Sequence, residues 1–109
     1  MTPETQEKIR ELQNIEATIN SMIGQKQQFQ SQSMEVENAL SHLDSSDTVF
    51  RIIGNIMVSS SKEVIKKELE EKREVLALRL KSIEKQEDRH RSKATELQQQ
   101  VLKEMKKSD

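Results

Sequence analysis

The sequence predicts a mainly α protein, an antiparallel two-helix coiled-coil hairpin with a central β-hairpin that assembles into an intersubunit β-barrel. Three observations predict it. Of 109 residues, 32% are apolar, 34% charged and 2% aromatic, well short of the roughly 45–50% apolar content that fills an ordinary globular core. Two segments rich in Glu, Lys, Gln and Leu carry apolar residues at alternating spacings of three and four, and the chain has only two glycines and one proline. That regularity argues for helix over disorder. Between the two lies VFRIIGNIMVS, residues 49–59, in which seven of eleven residues are strongly apolar.

A single domain is expected over residues 1–109, with helix one at 3–44, the hairpin at 48–59 and helix two at 61–106. Helix one opens on Thr2, a capping residue, and Pro3, whose missing N–H suits the first helical position. Leu12, Ile15, Ile19, Met22, Lys26, Phe29, Ser33, Val36, Leu40 and Leu43 then fall at the a and d positions of a seven-residue repeat. Lys26 and Ser33 are the polar exceptions; an open two-helix seam lets Lys26 extend its amine to water, and polar residues in such a column commonly fix register. Gly24 is outward in this frame and carries no functional assignment. The cluster SHLDSSDT ends the helix, its small and acidic residues preferring turns and caps.

Helix two is expected to start at Ser60, followed three residues later by Glu63 in capping-box spacing. Leu69, Leu76, Ile83, His90 and Leu97 form one column, and Lys66, Arg73, Leu80, Glu87, Ala94 and Val101 its partner. The mixed second column predicts a seam drier in its middle and far end than at its start. The closing KKSD places lysines at the negative end of the helix dipole. Helices of such length, each about 60–70 Å, would make a thin rod.

In the central run Val49, Phe50, Ile52, Ile53, Ile56 and Val58 favour strand, and Gly54-Asn55 suits a two-residue type I′ or II′ turn. That turn pairs Ile53 with Ile56, Ile52 with Met57 and Arg51 with Val58. Both faces are then mainly apolar, whereas a sheet wetted on one side alternates apolar with polar. A lone hairpin is marginal in water and exposes two unpaired edges. Hairpins from several chains joining edge to edge into a barrel would remove both problems.

The order of a long helix, a hairpin containing IIGNIMV, and then KEVIKKELEEKREVLALRLKSIEKQEDR resembles the β-type subunits of the prefoldin family. Residues 50–91 carry the specific part of the likeness. The single hairpin fits a β-type subunit. The resemblance implies an ATP-independent holdase that captures unfolded client proteins with coiled-coil tips and delivers them to a group II chaperonin. It implies a hexamer of two α-type subunits and four β-type copies, working in the cytoplasm. Val49, Phe50, Ile52, Ile53, Gly54, Asn55, Ile56, Met57 and Val58 would build the barrel. Client binding would fall to Ile9, Leu12, Ile15, Leu97, Val101, Leu102 and Met105. Of these, Ile9, Leu102 and Met105 lie outside the repeat columns, so the seam does not use all the apolar surface there.

The alternative is a structural or adaptor coiled coil that oligomerises through its hairpin. A net charge of −1 with both signs interleaved offers no basic face, so no nucleic acid is expected as partner. The absence of cysteine leaves no disulfide framework or thiolate site. MTPETQEKIREL lacks the features of a signal peptide, and no run of about 18 apolar residues occurs, so no membrane is expected and the chain reads as cytosolic. His42 and His90 are far apart and read as structural or solvated; no catalytic residue, metal or cofactor is expected.

Overall fold

A computed structural model describes residues 2–107. Helix α1 spans Pro3–Leu43, strand β1 Val49–Ile53, strand β2 Ile56–Ser60 and helix α2 Lys62–Lys107. Ser108 and Asp109, the end of the KKSD tail, lie outside the described residues; Lys106 and Lys107 occupy the last turn of α2.

The cap of α1 is formed as its sequence requires. The Thr5 amide donates to the Thr2 hydroxyl at 3.1 Å, which satisfies one of the orphan donors of the first turn. At its other end the hydroxyls of Ser45 and Ser46 donate to the His42 carbonyl at 3.0 and 3.1 Å, so serines rather than a further helical turn take up that acceptor. The His42 ring nitrogen Nδ1 lies 2.8 Å from the Asn38 carbonyl, where it must donate, and the residue is structural.

Helix α2 starts one residue later than the capping-box spacing indicates. Ser60 belongs to β2, where it pairs with Val49. Its neighbour Ser61 caps instead, accepting the Val64 amide at 3.2 Å. Ladder pairing commits the Ser60 backbone to strand, so the cap moves on and Glu63 becomes an acidic residue of the first turn, favourable to the helix dipole.

The helices divide into two compact units. The terminal unit comprises residues 1–27 and 81–109, the central unit residues 28–80. In the terminal unit Ile15, Ile19, Ala94 and Leu97 form a buried cluster with Leu12 and Ile23 packed against it. Ile83 and Val101 are also buried. Residues that meet there run in opposite senses, Lys8 with Glu104 and Lys26 with Glu87, so the helices are antiparallel. In the central unit Val36, Leu43 and Leu76 are buried, Leu76 to 2% exposure. Glu37 meets Arg73, and the Arg79 guanidinium lies 5.9 Å from the Phe29 ring centre, within cation–π range. Lys66 and Arg73 are exposed while Glu87, Ala94 and Val101 are buried, so the second column of α2 is wettest at its start.

Candidate functional site

The first candidate site is the hairpin of the central unit. β1 and β2 are antiparallel, with Ile53 opposite Ile56, Ile52 opposite Met57 and Arg51 opposite Val58. Gly54 has φ of 60°, and among the described residues no non-glycine residue has positive φ. Asn55 is therefore right-handed, which is the type II′ pattern; type I′ would need both residues left-handed. One face presents Val49, Arg51, Ile53, Ile56, Val58 and Ser60, the other Phe50, Ile52, Met57 and Ser59.

The chain's own cover for this ribbon is slight. Val49, Arg51 and Ser60 are half-buried, all on one face and close together in the ladder. Arg51 reaches Glu68 of α2 in an ion pair. The nitrogen facing that carboxylate is shut off from solvent without an aligned hydrogen bond, so charge rather than geometry makes the contact. The remaining large side chains, Phe50, Ile52, Ile53, Ile56, Met57 and Val58, are 38–68% exposed. Six such side chains on ten strand residues make a patch that solitary proteins rarely leave in water.

The second candidate site is at the helix ends of the terminal unit. The seven residues proposed from sequence separate into three groups. Ile15, Leu97 and Val101 are buried, because they are seam residues and the opposite helix covers them. Ile9 and Leu12 are half-buried. Leu102 is 58% and Met105 46% exposed, since both lie outside the repeat columns on α2.

A polar clasp joins the helices at this end. Lys8 Nζ lies 2.5 Å from Glu104 Oε1, and the Thr5 hydroxyl donates to the other oxygen of Glu104. Thr5 is 2% exposed, yet its amide and hydroxyl both have partners, so its burial carries no penalty of an unmade bond. The Lys8 and Thr5 hydrogen bonds hold the Glu104 carboxyl below the usual glutamate range, against a smaller opposing effect of desolvation. Sequence reasoning missed this clasp: nothing local links residues 99 positions apart.

A second polar layer lies at Lys26. Its amine does not simply reach water; it lies 3.4 Å from Glu87 Oε1. Arg91, one turn on, donates to Glu87 Oε2 from Nε at 2.9 Å and from Nη2 at 2.7 Å. The Arg91 hydrogen bonds lower the Glu87 pKa, desolvation opposes them, and Lys26 adds to the lowering. The signal for the Glu87–Arg91 half, charges at i and i+4, was present in the sequence. Among the described residues no cluster of His, Cys, Asp or Glu is placed to hold a metal ion, and no helix is long and apolar enough to cross a membrane.

Comparison with known proteins decides between the readings of this architecture. The sequence pattern of the family described as "Prefoldin subunit" matches residues 6–108. The chain belongs to the prefoldin family. Its relatives include the prefoldin subunit beta of Sulfurisphaera tokodaii, 34% identical over 91% of this chain and 82% of that protein. The prefoldin subunit beta of Methanococcoides burtonii is 35% identical over 94% of this chain and 91% of its own length. The crystal structure of the prefoldin beta subunit from Thermococcus strain KS-1 superposes with a TM-score of 0.85 at 29% identity, covering 92% of this chain and 90% of that one. The role that goes with this prefoldin fold is that of a chaperone subunit. The single hairpin of the central unit and the two long helices are the fold of that β subunit.

Proposed function

We propose that the chain is a subunit of an ATP-independent cytoplasmic holdase, assembled through its hairpin and binding non-native proteins at the helix ends of its terminal unit. The observation that carries client capture is the exposure of Leu102 and Met105 beyond the last seam residue Val101, which is itself buried. The Leu102 side chain is available there without unpacking the coiled coil. Met105 is unbranched and polarizable and adapts to partners of differing shape. Ile9 and Leu12 border the same end of α1, while Ile15, Leu97 and Val101 serve the seam beneath.

Val49, Phe50, Ile52, Ile53, Gly54, Asn55, Ile56, Met57 and Val58 would join other copies and α-type subunits in a barrel, supported by how little of this ribbon the single chain covers. A hexamer of two α-type and four β-type chains, and transfer of the client to a group II chaperonin, are the finer form of this reading. No catalytic step, cofactor, nucleic acid or membrane enters it.

The test is the double substitution Leu102→Ser and Met105→Ser. It is expected to abolish suppression of aggregation of a denatured protein, in the absence of ATP, while the native mass of the assembly with an α-type subunit stays the same. Undiminished protection would exclude these residues as the client surface. An adaptor coiled coil would suppress no aggregation even as wild type.

A further inference from the structure

The run from Val49 to Ser60 carries a single charged side chain, Arg51. A cation costs free energy on a ribbon bound to be covered, unless an opposite charge meets it. Here the opposite charge belongs to the same chain, Glu68 of α2. Exposed ion pairs of this kind contribute little as a rule. This one differs in that the guanidinium nitrogen facing Glu68 is shut off from solvent, so removing the carboxylate would leave a shielded charge uncompensated.

Side chains alternate across a strand, so the contact fixes which side of the ribbon is turned to the chain's own helix. It is the side of Val49, Arg51, Ile53, Ile56, Val58 and Ser60. Burial identifies the same side independently: Val49, Arg51 and Ser60 are half-buried, whereas Phe50, Ile52, Met57 and Ser59 on the other side are exposed. Val49 and Ser60 pair at the base, where the ribbon joins the helices. Arg51 is the outermost point at which it is held. Beyond it Ile52, Ile53, Ile56 and Met57 stand 58–68% exposed. Among the described residues no second ion pair ties ribbon to helix. A two-stranded ribbon has little stability of its own, so without this tether its outer half would be free to swing about the base.

We propose that Arg51 is a positioning residue for assembly: through Glu68 it holds the ribbon at one pitch on α2, with Phe50, Ile52 and Met57 turned outward to a partner subunit. The inference rests on the reading that the hairpin is the assembly joint, and names the contact that sets its orientation. The pair works within one chain and before association. A ribbon already held in its joining orientation has less freedom to lose on binding, and the gain appears as tighter assembly with no added contact between subunits.

Charge reversal tests this. Arg51→Glu and Glu68→Arg, each alone and both in one chain, are mixed with an α-type subunit and followed by sedimentation velocity across a concentration series. Each single variant is expected to raise the assembly midpoint roughly five- to tenfold, about 1 kcal/mol. The double variant should return to within about twofold of the wild type. Glu68→Gln, which removes the carboxylate without adding a repulsive charge, should shift the midpoint in the same direction with helix content by circular dichroism unchanged. An equimolar mixture of the two single variants should stay as weak as either alone. Wild-type assembly by that mixture would overturn the proposal, because it would place the pair between chains. So would single variants that assemble normally, or a double variant no better than the singles. If instead Ile52→Ser with Met57→Ser leaves the midpoint unmoved, the hairpin reading beneath the proposal falls.

Discussion

The hairpin gives the sharpest quantitative expectation. Ile52 and Met57 are cross-strand partners on one face, 68% and 63% exposed in the single chain. Full burial of such a side chain gains about 1.5–3 kcal/mol, so covering the fraction now exposed gains roughly 1–2 kcal/mol at each position. Replacing both with serine removes that gain and, at a covered interface, adds a hydroxyl that must find a partner. The double variant Ile52→Ser and Met57→Ser should therefore weaken each hairpin contact by about 2–4 kcal/mol, or 30- to 1,000-fold in dissociation constant.

Because these side chains are little used within the chain, helix content should be unaffected. Sedimentation velocity across a concentration series, with an α-type subunit present, should show the assembly midpoint moved up by that factor, and far-ultraviolet circular dichroism should be unchanged. An assembly midpoint equal to that of the wild type would refute the argument, since it would mean the face bearing Ile52 and Met57 stays wet in the complex. A large loss of helix content would refute it differently, by showing that the ribbon supports its own helices.

Three further outcomes follow from single residues. Gly24 is exposed inside α1, and a Cβ there meets nothing within 4 Å; Gly24→Ala should stabilise the chain by about 0.5–1 kcal/mol in chemical denaturation, and a loss would show that the helix is irregular at that point. Ser61→Ala should cost about 1 kcal/mol by removing the α2 cap, whereas Ser60→Ala should change little; the reverse ranking would return the cap to Ser60. Glu87 and Glu104 both have lowered pKa values in the folded chain. Their contribution to stability is thus complete above the unfolded glutamate pKa, near 4.3, and is lost as pH falls through the still lower folded values. Acid titration followed by thermal melting should show this loss, blunted in Glu87→Gln and in Glu104→Gln; identical acid sensitivity in both variants would count against the assignment.

Much of the fold was legible because it rests on periodicity. Every residue of the α1 repeat from Leu12 to Leu43 is buried or half-buried, including polar Lys26 and Ser33, since spacing decides which face a helical residue occupies whatever its chemistry. The strand register followed from a two-residue turn, but Gly-Asn suits both primed turns and the choice of II′ could not be read from composition. Ser60 misled because the capping box is a local signature and strand pairing is not; the bond to Val49 outranks it. For the same reason nothing local marks the clasp of Glu104 on Thr5 and Lys8, and nothing around Lys26 names Glu87 of the other helix as its partner. The candidate site was legible only in part: exposure at Leu102 and burial at Leu97 follow from their columns, while the pairing of Arg51 with Glu68 depends on what stands opposite.

These polar contacts have a consequence for where the apolar surface lies. A seam of repeating apolar residues packs almost as well when one helix slides by seven, because each knob meets a similar hole. A slide of that size would set Lys26 against Leu80 or Ala94 and leave the shielded Glu87 carboxylate with Arg91 of its own helix as its cation, one of two partners lost. It would also carry Glu104 a heptad away from Thr5, leaving that buried hydroxyl without its acceptor. Both penalties act against the same displacement, and only the pairing with Lys26 on Glu87 and Lys8 on Glu104 avoids them. That pairing is also what brings Ile9 level with Leu102 and Met105 and sets Ile23 beside Arg91. The apolar columns hold the helices together, but it is the few charged and hydroxyl groups between them that decide which apolar side chains remain outside, and so where a partner can be held.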